Sequence, residues 1–306
     1  MAKNDDNDLL SDAIRYAFRA AKHGDWIKLK EIVASDTRVL ECLDSDGLTL
    51  LMQAARAGNV ESIHLLLECG MDIDTRNEDG WSALRFAARC QNREAAQFLS
   101  DHGAKSDIFV AAALGDKQAV ENSLKLQPDL VFANDGYGAQ PLHWAAEFSY
   151  PELVDLLLQV GAKAKSSDHW GSTALHFTAQ KGRDGCVEVA TLLLDHGAKI
   201  DALDHDGKTP LHLAVRRRRL DLVKFLLARG ARARTQDKTL GCTPLHSAVE
   251  RANEDALPSI SVLELLLRAG ADVNVRNEFG ETPLGVALRC EQTQIADFLR
   301  QRGGIE

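Results

Sequence analysis

His205–Ala231 reads HDGKTPLHLAVRRRRLDLVKFLLARGA. Asp206-Gly207 is a turn signal. Thr209-Pro210 then starts a helix, because a hydroxyl caps orphan backbone N–H groups and proline is tolerated in the first helical turn. Leu211, Ala214 and Val215 mark one apolar stripe, and Leu222, Val223, Leu226 and Leu227 mark a second, which Gly230 ends as a C-terminal cap. The stretch therefore predicts two short helices back to back. Isolated helices below about 12 residues are marginal in water, so this unit needs another stacked against it.

The chain supplies the partners. The template recurs from Asp46 (DGLTLLMQAARAGNVESIHLLLECG), Asp79, Tyr137, Trp170, Leu240 and Phe279. Gly47 and Gly80 are 33 residues apart, as are Gly138 and Gly171. This period, the T-P-L-H box and the G-A-D-V-N ending at Gly270 to Asn274 resemble the ankyrin repeat family over nearly everything from Ile14 to Gly303. The resemblance implies an all-α solenoid of about nine stacked helix-pair repeats with short β-hairpin fingers.

Residues 1–11 are expected to form a disordered acidic tail, having too little apolar surface to offset ordering entropy. Residues 12–105 read as an N-terminal array of a cap and two repeats, and 106–306 as a C-terminal array of six, the last one capping. The division falls where the pattern restarts. SDIFVAAALGD from Ser106 lacks the finger and repeats the opening segment, with Phe109, Ala111, Ala112 and Gly115-Asp116 matching Phe18, Ala20, Ala21 and Gly24-Asp25. Later units carry extra residues at Arg183 to Gly185 and around Asn253, as tolerated length variation or as functional loops.

The chain has 306 residues, a hydrophobic share of 45% and a net charge of -9, which opposes the phosphate affinity nucleic-acid binders rely on. Six scattered cysteines have neither disulfide-framework nor metal-ligand spacing. The longest apolar run, Ile108 to Leu114, is too short for a membrane span of about 20 residues. A cytoplasmic monomer that inserts in no membrane and needs no cofactor or metal is expected. No H-E-x-x-H, G-x-S-x-G or phosphate-loop signature points to an enzyme.

His143, His176, His212 and His246 recur at one box position. Successive members are expected roughly 10 Å apart, the interaxial distance of packed helices, which is too far for shared metal ligation. The family resemblance implies a structural role instead, a hydrogen bond to the backbone of an adjoining repeat. Units with Met52, Arg85, Phe109 or Gly285 there are expected to lose that bond.

In ankyrin-like stacks the finger tips and first helices form a concave binding face. Residues flanking the turn glycine are candidate contacts, chiefly Trp81, Tyr137, Trp170 and Phe279. Phe148, Lys181, Arg216, Arg217 and Arg251 are candidates along the helix row. Aromatic and arginine side chains are enriched at binding hot spots. Trp81 and Trp170 either anchor a partner or fold down over a neighbouring hairpin. Arg216 to Arg219 exceed what a helix dipole needs and suit an acidic segment of a partner. The function expected is a scaffold or adaptor that binds another protein, or else a regulatory subunit or inhibitor of a separate enzyme. Asn274 lies in a run resembling ankyrin asparagines that are hydroxylated.

Overall fold

The computed structural model describes residues 2–181, 184–250 and 256–306. Its contacts divide the chain into two compact units, one reaching to Leu130 and including Asn134–Tyr137, the other comprising Val131–Ala133 and Gly138–Glu306. Among the described residues the chain is all-helical.

The first unit holds four helix pairs. They are α1 (Ala2–His23) with α2 (Trp26–Ser35), α3 (Leu50–Ala57) with α4 (Val60–Glu68), α5 (Ala83–Arg89) with α6 (Arg93–Asp101), and α7 (Ile108–Leu114) with α8 (Lys117–Leu126). The second unit holds five. These are α9 (Pro141–Glu147) with α10 (Pro151–Gln159), α11 (Ala174–Lys181) with α12 (Cys186–Asp195), α13 (Pro210–Arg216) with α14 (Leu220–Ala228), α15 (Pro244–Glu250) with α16 (Ala256–Arg268), and α17 (Pro283–Arg289) with α18 (Thr293–Gln301). Within each unit first helices pack on first helices, so Leu51, Ala54 and Leu84 are buried in one stack and Leu142, Leu175 and Leu211 in the other.

Local chemistry sets the ends. Thr49, Ser82, Thr209 and Thr282 cap their helices through the side-chain oxygen, with proline at the first helical position after Thr209 and Thr282. The turn inside a pair needs a left-handed residue. Gly58 supplies it at φ 82°, and a Cβ there would meet Asn92 Cγ at 2.9 Å. Asn92 is in that place because its amide donates to the carbonyls of Ala55 (3.1 Å) and Arg56 (2.9 Å) in the preceding repeat. Gln91, Ser149, Arg218 and Glu291 take the same left-handed turn without glycine.

Several expectations change. α1 begins at Ala2, inside the segment expected to be a disordered tail through residue 11. The fingers are tight turns, with one isolated bridge, Ser167 to Thr173, in place of named β-hairpin strands among the described residues. The first unit extends past the 105/106 boundary. Without a finger before it, α7 packs directly on α5, and Lys105 is tied to Asp74 by a backbone N–H (2.9 Å) and an ammonium contact (3.1 Å). Of the insertions, Arg183 and Asn253 lie outside the described residues, and α16 is a helix of 13 residues, longer than the second helices around it.

Candidate functional site

The box histidines form a ladder in the second unit. His143, His176, His212 and His246 each accept a backbone N–H at Nδ1, from Gln140 (2.9 Å), Thr173 (3.1 Å), Thr209 (3.1 Å) and Thr243 (3.2 Å). A backbone N–H can only donate, so the proton sits on Nε2. That nitrogen donates into the following finger segment, to the carbonyls of Ser166 (3.0 Å), Lys208 (3.1 Å), Cys242 (3.2 Å) and Glu281 (3.2 Å). Both ring nitrogens are thereby used by backbone. Burial holds the pKa of His176, His212 and His246 below the ordinary imidazole value, which keeps them neutral.

Two units expected to lose this bridge replace it. Arg85 is buried and forms an ion pair with Asp107 at the start of α7, with its guanidinium 4.8 Å from the centre of the Phe109 ring. At Gly285 the neighbouring Thr282 hydroxyl donates instead to Ile305 O at 2.6 Å. Asn274 is also engaged there, donating to Gly303 O (3.0 Å) and accepting from Ile305 N (2.9 Å).

The finger tips divide by register. After Gly47, Gly80 and Gly138 the next residue points inward, so Leu48 and Ala139 are buried and Trp81 is only 5% exposed. Before Gly171, Gly241 and Gly280 the preceding residue points outward. Trp170 is 55% exposed, Leu240 39% and Phe279 70%. Trp81 therefore belongs to the core, where it packs edge-on against Tyr137 at 5.4 Å. Tyr137 is itself half-buried, and its hydroxyl donates to Asp79 Oδ2 at 2.7 Å. Burial first and then Asp79 push its pKa up to about 12.

Consecutive fingers of the second unit are joined by backbone. His205 N donates to Trp170 O (2.8 Å), Lys238 N to Asp206 O (2.7 Å) and Glu278 N to Leu240 O (2.9 Å). Gly207 permits this approach, since a Cβ there would lie 2.8 Å from Lys238 N. The exposed tips thus stand on a hydrogen-bonded row. Beneath its far end lies a groove of about 500 Å³ lined by Leu240, Phe279, Val286, Glu250 and Arg289. Cys242 also faces it, as a thiol that burial raises to about 11. Arg289 is held by Glu281 at 2.8 Å.

Arg216 has the same place in its repeat as Glu250 and Arg289, four residues after the box position, and it and Arg217 are exposed. Among the described residues neither has a carboxylate partner within ion-pair distance. The other basic candidates differ. Lys181 is bound by the buried Glu147 carboxylate at 2.8 Å and lies over the Phe148 ring at 5.0 Å. Phe148 is buried, and Arg219 reaches back to Lys181 O at 2.6 Å. Arg251 lies outside the described residues. The structure thus places Trp170, Phe279, Arg216 and Arg217 at the surface of the second unit, while Trp81, Phe148 and Lys181 stabilise the stack. Sequence reasoning missed the Glu147 to Lys181 pair, which joins side chains of adjacent repeats, and the place of Val286 in the lining of the groove.

Comparison with known proteins agrees with the architecture. The family described as Ankyrin repeats (3 copies) matches residues 17–110, 142–237 and 221–306. The chain is similar to the nuclear factor NF-kappa-B p105 subunit of Gallus gallus, 33% identical over 193 residues, covering 61% of this chain and 19% of that protein. Similarity to palmitoyltransferase ZDHHC13 of Mus musculus is 28% over 279 residues, covering 91% of this chain and 40% of that one. With the E3 ubiquitin-protein ligase KEG of Arabidopsis thaliana it is 25% over 315 residues, 93% of this chain and 19% of that one. The chain thus spans between 19% and 40% of the length of these relatives.

Proposed function

The chain belongs to the ankyrin repeat family, and from that premise we propose that it is an adaptor whose second unit holds an acidic, apolar-anchored segment of another protein against its finger tips and first helices. Ankyrin repeats are protein-interaction modules. The observation that carries the assignment of the surface is the row of Trp170, Leu240 and Phe279, large apolar side chains held outward on hydrogen-bonded fingers. Aromatic anchors contribute most of the energy at such interfaces, and a preformed row needs little ordering on binding.

Arg216 and Arg217 supply the charge. Placed on the first-helix row, they attract a carboxylate-bearing segment, speed its capture and set its register. The proposal includes a monomer in a reducing, cytoplasmic setting, which the six free cysteines support. No helix among the described residues is long and apolar enough to cross a membrane. No reaction is assigned to this chain; two of its relatives bear enzyme names, and the chemistry those names denote is theirs.

Affinity capture from a cell extract tests the proposal, comparing wild type with an Arg216→Glu/Arg217→Glu variant and a Trp170→Ala/Leu240→Ala/Phe279→Ala variant. Proteins retained by wild type should be lost from both variants, and their retention should weaken with salt. Retention of the same proteins by all three would refute the assigned surface.

A further inference from the structure

A second groove lies on the other helix layer of the first unit, where the fingers play no part. It has a volume of about 360 Å³ and is walled by Trp26 of α2, Leu65 of α4 and Phe98 of α6. Trp26 is 40% exposed, and the adjacent Ile27 is exposed as well. Phe98 is held in place, stacked on His102 with ring centres 4.1 Å apart and meeting the His64 ring edge-on at 5.8 Å. The Phe98 side of the groove is therefore fixed before anything binds.

The rim carries a charge pattern that specifies an occupant. Glu61, His64 and Glu68 occupy positions i, i+3 and i+7 of α4 and form one exposed stripe along the groove. The two carboxylates stand two helical turns apart, about 10 Å at the rise of an α-helix. Among the described residues Glu61 has no cation within ion-pair distance, and Glu68 has only the His64 ring, at 3.6 Å. On the α2 side the rim carries Lys30. A basic group entering from that side is repelled, while one lying along α4 is attracted.

We propose that this groove docks an amphipathic helix of a partner protein, with an apolar side chain seated between Trp26 and Phe98 and a Lys or Arg one turn to either side against Glu61 and Glu68. The spacing of the carboxylates matches the rise of a helix lying along α4, so two charges bracket one anchor. Lys30 fixes which face of the incoming helix carries its cations. This surface shares no residue with the finger face of the second unit.

The test uses the full chain and labelled synthetic helices of about 18 residues, long enough for helix to form. One peptide carries a central Leu bracketed by Lys one turn to either side; a control carries Glu at those two places. Fluorescence anisotropy should show binding of the Lys peptide to wild type, weakened about tenfold in a Glu61→Lys/Glu68→Lys variant, since two exposed pairs are each lost and reversed. That variant should instead prefer the Glu peptide. Trp26→Ala should weaken the Lys peptide, whereas Leu203→Ala, at an exposed apolar residue of the second unit, should leave it unchanged, with circular dichroism showing every variant folded. Equal affinity of the Lys peptide for wild type and the charge-reversed variant overturns the proposal. So does the absence of binding to wild type, or loss of binding on Leu203→Ala.

Discussion

Buried Arg85 and half-buried Asp107 form an ion pair where the repeat pattern loses a finger. In four repeats of the second unit the box position holds histidine and reaches a carbonyl of the following finger. Here no finger precedes α7, and the carboxylate that caps α7, accepting from the N–H groups of Phe109 and Val110 at 3.0 Å, serves as the target instead. A longer donor spans the gap.

Removing Asp107 leaves the Arg85 charge buried, which costs about 3–5 kcal/mol, whereas removing Arg85 leaves a half-buried carboxylate that still accepts from two backbone N–H groups. Asp107→Ala, which also removes the helix cap, should therefore lower the stability of the first unit far more than Arg85→Met, which leaves an apolar side chain of similar length. Urea unfolding of the two variants distinguishes them, and equal losses would mean that the pair is not what joins α5 to α7.

The histidine ladder makes stability depend on pH. Burial depresses the folded pKa of His176, His212 and His246, while the unfolded rings titrate near 6.5. Below that value the unfolded chain binds more protons than the folded one, so folding weakens as pH falls. The stability from neutral rings is complete above about 6.5 and is lost as pH drops from there through the depressed folded values. Urea midpoints should fall between about pH 7.5 and 5.5. His212→Ala should cost about 1–3 kcal/mol by leaving backbone groups unsatisfied, and should make the slope shallower.

Left-handed turns without glycine hold recoverable strain. Glu291 sits at φ 56° between α17 and α18, where other turns of the chain use glycine. A non-glycine residue pays about 1–2 kcal/mol there, partly offset by the greater freedom of unfolded glycine. Glu291→Gly should raise stability by about 1 kcal/mol. Gly58→Ala should lower it by more than that, because it adds both the strain and a clash with Asn92. Thermal melts of the two variants, moving in opposite directions, check the account.

Trp81 and Trp170 look alike in sequence and should behave oppositely. Trp81→Ala empties a core position and should cost about 3–5 kcal/mol. Trp170→Ala should change stability by less than about 0.5 kcal/mol, as surface substitutions do, while reducing partner retention. Denaturant unfolding alongside capture assays tests both halves.

These two tryptophans also mark how far the sequence is legible. The period, the caps and the histidine role are visible because each repeat demands a glycine, a hydroxyl and an imidazole at fixed offsets. The direction of a finger residue is not, because the left-handed glycine reverses the chain between Trp170, which precedes its glycine, and Trp81, which follows its own. Lys181 is hidden for a different reason. Its partner Glu147 lies one repeat away, and charge alone does not reveal which cations are already neutralised. Arg85 reads as a lost bond because Asp107 is 22 residues distant and belongs to a unit with no finger.

Amide hydrogen exchange of the full chain, with and without a protein retained by wild type, tests the central claim most directly. Binding on the finger face predicts slowed exchange at residues 168–171, 237–241 and 277–280 and in the last turn of α13 near Arg216. Unchanged exchange in all of these fingers on saturation with that protein would contradict it.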